Sequence, residues 1–143
     1  MESTGLHWLA EAAPDPESCR EQWERTGLGL MLLPAGRRWD VLSVPGRLGR
    51  PVLDILDARS RGPVLTDFGG ESVGFLVPVG TAARWVGTGV STAGDGTWIV
   101  VPHPGRCSRG VRWLVPPDGS GRLNDPVLLE LALHEAAARL TDW

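Results

Sequence analysis

The chain has 143 residues, 42% of them apolar and 22% charged, enough for one ordinary domain with a real core. A net charge of −3 argues against a broadly basic nucleic-acid-binding face. No apolar run approaches the ~20 residues of a membrane span. The opening MESTGLHWLAEAAPDPE is acidic rather than signal-like, and Cys19 and Cys107 are too few for a disulfide framework, so the chain reads as cytoplasmic with reduced thiols. All fourteen basic residues are Arg, a bias that fits a GC-rich bacterial genome. The other reading of that bias is a set of guanidinium forks that hold phosphate or carboxylate bidentately.

Two short helices are predicted first, Leu6–Ala13 and a second opening at Asp15–Pro16, where Asp caps and Pro takes the first helical position. Cys19 and Trp23, four apart, give the second an apolar face. Gly29–Leu33 and Trp39–Val44 read as strands. Arg47–Ala58 follows with Leu48, Val52, Leu53 and Leu56 at helical spacing. Pro63–Phe68 and Val73–Val77 are strands around a Gly-Gly turn, and Thr81–Val86 is a short helix capped by Thr81. Gly89–Thr92 is a brief strand. From Trp39 onward the order is β-α-β-β-α-β, the split βαβ arrangement of ferredoxin-like and RNA-recognition-motif-like folds, with both helices on one face of the sheet.

Two further strands, Thr97–Pro102 and Gly110–Pro116, flank the loop HPGRCSR and predict an added antiparallel hairpin. The last helix, Val127–Leu140, carries Leu129, Ala132, Leu133, Ala136 and Leu140 as one apolar stripe, with Glu135 and Arg139 paired four apart outside it. The expected fold is therefore α+β: one domain over 1–143, a split βαβ core with a hairpin and a C-terminal helix, and 1–27 as a helical extension.

The order of elements and two motifs resemble the bifunctional DNA primase/polymerase (prim-pol) domain of the archaeo-eukaryotic primase superfamily. The stretch WDVLSVPGRLGRPVLDIL stands where that family has a strand ending in Asp-x-Asp, then Gly and a Leu-rich helix. The stretch GTWIVVPHPGRCSRGVRWLVPP stands where it has Pro-Pro-Ser, a nearby His and an aromatic strand. The resemblance covers roughly Gly29 to Leu140 and rests on pattern and order more than on identities. It departs from the family where chemistry is done. The two metal-binding Asp positions fall on Ser43 and Pro45, and Mg²⁺ wants oxygen ligands that proline lacks and serine supplies poorly. Asp40 lies three residues before Ser43, on the opposite face of a strand. Pro-Pro-Ser reads Pro102-His103-Pro104, and the family's His position falls near Arg106.

The resemblance thus implies a catalytically inactive module without metal or cofactor, serving as a binding or accessory domain for a protein partner or for a nucleotide or nucleic acid. Arg106, Arg109 and Arg112, with His103 and Ser43, are the candidate ligand-binding residues; a solvated loop is the plainer reading of the three Arg. A protein-interaction domain with no nucleic-acid role, a homodimer included, is the main alternative, and no membrane association is expected. Two others are an active primase/polymerase and a small-molecule enzyme using His103 and Cys107 as base and nucleophile. Trp39, Trp98 and Trp113 offer stacking surfaces, although strand Trp residues more often build core. Asp67 and Glu71 flank a turn, and His7 and His134 have no ligating neighbour in sequence.

Overall fold

The apolar runs at the centre of the chain pair with one another. A computed structural model describes residues 2–25, 29–67, 71–87, 89–104 and 110–141. Its elements are α1 (Glu2–Ala10), α2 (Pro16–Arg25), β1 (Leu30–Pro34), β2 (Asp40–Pro45), α3 (Gly46–Ile55), β3 (Val64–Asp67), β4 (Ser72–Val77), α4 (Thr81–Arg84), β5 (Ser91–Ala93), β6 (Trp98–Pro102), β7 (Val111–Val115) and α5 (Pro126–Thr141). The fold is α+β. Five strands form a sheet in the order β5-β2-β4-β3-β7, with every pairing antiparallel.

Alternation along each strand sends side chains to two faces, and both are covered. Leu42, Val44, Val64, Val73, Phe75 and Val77 face a core that holds Val52 and Leu56 from the α3 side and Leu129, Ala132, Leu133 and Ala136 from α5. Gly49 lets α3 sit directly on β4, since a Cβ there would stand 2.5 Å from the Val73 Cβ. On the opposite face Val41, Leu65, Leu76, Ala93 and Val111 meet Leu6, Leu9, Trp23, Trp39, Leu33 and Val101. The N-terminal helices therefore complete a core layer. Asp15 caps α2 as the sequence suggests, its Oδ1 accepting the Ser18 N–H at 3.2 Å.

Four expectations change. The Thr97–Pro102 and Gly110–Pro116 strands do not form a hairpin with each other. β6 pairs with β1 in a separate two-stranded ribbon, Leu30 opposite Pro102 through Pro34 opposite Trp98, and β7 joins β3 at the edge of the main sheet. Bonds from Ala35 N–H to the Thr97 carbonyl and from His103 N–H to the Gly29 carbonyl extend the ribbon at both ends. The Trp113 indole N–H, donating to the Pro102 carbonyl at 2.8 Å, links β6 to β7 in place of a backbone ladder.

The other three concern helices. α4 is a single turn, too short to cover the sheet, and α5 takes the place beside α3. The start of α4 is capped by the Asp40 side chain, whose Oδ2 accepts the N–H groups of Gly80 and Ala82 at 2.9 Å, while the Thr81 hydroxyl donates to the Pro78 carbonyl. Leu140 is exposed rather than part of the buried stripe of α5, and Val127, Leu128 and Leu131 are exposed as well. Glu135 and Arg139 do pair, at 3.6 Å, which contributes only ~0.3–0.5 kcal/mol on a helix surface. Phe68 lies outside the described residues.

Candidate functional site

Ser43 sits near the end of β2, between Gly74 of β4 and Ser91 of β5. Gly74 has no side chain beside it; a Cβ there would crowd the Val41 Cγ1 at 3.2 Å and stand in ordinary contact with the Ser43 Oγ at 3.5 Å. Pro45 ends the strand opposite Ser72, and the next residue, Gly46, donates its N–H to the Glu71 carbonyl at 2.8 Å. These residues line an open groove of about 400 Å³ whose side chains include Ser43, Ser72, Ser91 and Glu71. It offers hydroxyls and one carboxylate. Asp40, on the other face of β2, is 2% exposed and committed to α4.

Of the other predicted residues, His103 and Arg112 do not line this groove. His103 is 4% exposed, and its ring meets the Trp23 indole edge-on with centroids 5.9 Å apart. It is part of the packing under α2. Arg112 is exposed on the edge strand β7, opposite Thr66. Arg106, Arg109 and Cys107 lie outside the described residues. Trp39 is fully buried, Trp113 is half-buried, and Trp98 is 54% exposed. Glu71 closes a turn by donating its N–H to the Asp67 carbonyl. His7 and His134 are exposed on α1 and α5, and among the described residues no three or more His, Cys, Asp or Glu gather where a metal ion would be held.

Cys19 is buried in α2, and burial pushes its thiol pKa up while the Arg20 charge opposes that shift. The thiolate is the nucleophile, so a buried thiol with a raised pKa is slow. In the folded chain at neutral pH, iodoacetamide should modify Cys19 at least roughly tenfold more slowly than in the urea-unfolded chain, which peptide mass spectrometry would read.

A second constellation escapes a reading along the sequence. Trp8, Arg61, Gly62, Asp118, Gly121 and Arg122 line a half-enclosed cavity of about 50 Å³. The Arg61 Nη2 donates to the Leu53 carbonyl at 2.7 Å, and the Arg122 Nη1 donates to the Arg59 carbonyl at 2.6 Å. Asp118 Oδ1 accepts the Ser120 N–H at 2.9 Å, and the bonds from Ser120 hold its carboxyl below its usual pKa. The only sequence signal was a Gly next to each Arg.

Comparison with models of known families, with curated proteins and with solved structures finds no match to this chain.

Proposed function

We propose that the chain is a catalytically inactive primase/polymerase-like module that acts as a binding or accessory domain. The observation that carries this reading is the end of β2: where the resembled family keeps two metal-binding acids, the second strand of the sheet order presents a serine hydroxyl and a proline ring. The order β5-β2-β4-β3, with α3 between β2 and β3 and α4 between β4 and β5, supports an RNA-recognition-motif-like core beneath that site. With Glu71 as the one carboxylate among the described residues of that groove, the pair of acids that would hold divalent ions and align a triphosphate is missing.

Of the two partner classes, a protein is the better supported. The sheet face opposite α3 and α5 is covered by α1, α2 and the β1–β6 ribbon, so among the described residues it offers stacked bases no open platform beyond the groove at Ser43. The outer side of that ribbon carries Leu32, Trp98 and Val100, exposed by 57%, 54% and 42%. Apolar side chains clustered on a surface favour protein contacts. The groove at Ser43 and the exposed Arg112 support nucleotide or nucleic-acid binding as the second reading.

Primer synthesis and extension with Mg²⁺ or Mn²⁺ test the first claim, and a salt titration of single-stranded DNA binding tests the second. The expected results are no template-dependent incorporation and only weak, unsaturated binding to single strands. Incorporation that disappears on changing Ser43 would refute the inactive reading. Micromolar binding with a steep salt slope would move the assignment to nucleic acid.

A further inference from the structure

The cavity at Arg61 and Arg122 lies at the opposite end of the strands from Ser43, where β3 begins and β7 ends, and nothing in the proposed function uses it. We infer that it binds a small oxyanion: free phosphate, or the terminal phosphoryl group of a phosphomonoester. Two guanidinium groups from distant parts of the chain line one small space. Each is anchored by a single bond to a backbone carbonyl, at 2.7 and 2.6 Å. A guanidinium has five donors in a fixed fork, so each keeps others for a ligand.

The Arg61 Nε is buried without an acceptor, and among the described residues it is the one cationic donor in that condition. With Nε enclosed and Nη2 on a carbonyl, Nη1 is the donor that Arg61 keeps for a ligand, and a phosphate oxygen suits a guanidinium in shape and charge. Among the described residues neither Arg forms an ion pair within 4.0 Å. Asp118 is on the same wall and carries the opposite sign, so the side chains sum to one positive charge, which suits an anion and not a cation.

Size decides between a phosphoryl group and a whole nucleotide. A water needs roughly 10–15 Å³ by this measure of cavity volume. A space of about 50 Å³ therefore takes a group of a few heavy atoms and excludes a sugar or a base, which would have to remain outside.

The test is a titration of the full chain with sodium phosphate and, separately, with phosphoserine, against sodium chloride at matched ionic strength. Trp fluorescence, to which Trp8 on the cavity wall contributes, and thermal shift are the readouts. Phosphate and phosphoserine should both raise the Tm saturably, and chloride should not. Tighter binding of phosphoserine identifies an attached phosphoryl group as the ligand, and equal or tighter binding of phosphate identifies the free ion.

Arg61→Lys, which keeps the charge and loses the Nε and the fork, should weaken binding at least about tenfold, and Arg122→Gln should do the same. Arg37→Gln, exposed and outside the cavity, should leave it unchanged. The inference is overturned by no saturable response up to about 50 mM of either ligand, an affinity too weak to count as a site. An equal response to chloride, or an affinity unchanged in both cavity variants, also overturns it. If a variant fails to fold by circular dichroism, the wild-type titration alone decides.

Discussion

Replacing Asn124 with Ala lowers the folding stability by about 3 kcal/mol. For a domain of this length that corresponds to a fall of roughly 10 °C in Tm. Asn124 is 1% exposed and stands just before α5. Its Oδ1 accepts the Gly62 N–H at 2.9 Å, and its Nδ2 donates to the carbonyls of Pro63 at 2.9 Å and Leu76 at 3.0 Å. One side chain thus ties the lead-in of α5 to the start of β3 and the end of β4. Gly62 permits the approach, since a Cβ there would lie 2.5 Å from the Asn124 backbone nitrogen.

The cost is limited because two of the three partners keep another bond. The Pro63 carbonyl still accepts from Leu76 N–H, and the Leu76 carbonyl still accepts from Asn124 N–H. Only the Gly62 N–H is stripped, at about 1–3 kcal/mol, and two further bonds are lost at about 0.5–1.5 kcal/mol each. Asn124→Asp separates the contributions. It keeps the acceptor for Gly62 but sets a carboxylate against two carbonyl oxygens, which raises its pKa in the folded state. Its deficit is therefore largest at neutral pH and shrinks as pH falls through that raised value. A deficit independent of pH would mean that the side chain is not where the structure places it. Thermal unfolding from pH 4 to 8 decides.

The sequence revealed elements far better than partners. The apolar run VGFLV announced β4 because burial on both sides removes polar residues from a strand, and WIVV announced β6 although Trp98 and Val100 stand exposed on its outer side. The same absence of alternation hid which face each residue serves and which strand lies beside it. β6 lies next to β1, more than sixty residues away along the chain, while nearby β7 goes to another sheet. No local pattern records such a choice.

Helices behaved likewise. The spacing of Leu129, Ala132, Leu133 and Ala136 gave the inner side of α5 correctly. Leu140 continued the spacing but not the burial, because the pattern does not say where the underlying sheet stops. At the candidate site, Ser43 was legible as a residue, but its place between Gly74 and Ser91 follows from strand order alone. The Arg61–Arg122 cavity is built by three separate segments, and no short window of sequence contains it.

Asp40 stands on the strand face opposite Ser43 as its spacing indicates, but its bonds to α4 forty residues away are beyond any local pattern, and its substitution separates a structural carboxylate from a metal ligand. Asp40→Ala should destabilise the chain by about 4 kcal/mol, because it removes two charge-assisted bonds at about 1.5–3 kcal/mol each and leaves the N–H groups of Gly80 and Ala82 facing a void. Asp40→Asn should cost less than about 1.5 kcal/mol. Its amide oxygen can take the place of Oδ2 toward both N–H groups. Its NH₂ would then occupy the position of Oδ1, which is buried and has no partner in the wild-type chain.

Urea unfolding with and without Mg²⁺ reads both variants. If geometry at α4 is the whole role of Asp40, the Asn variant stays close to wild type and the Mg²⁺ response of all three proteins is the same. A carboxylate that held a divalent ion would behave differently, since an amide is a weak ligand for a hard cation and the Asn variant would lose any stabilisation by Mg²⁺. Equal, large losses in both variants would show instead that the negative charge, and not an acceptor oxygen, is what the first turn of α4 requires.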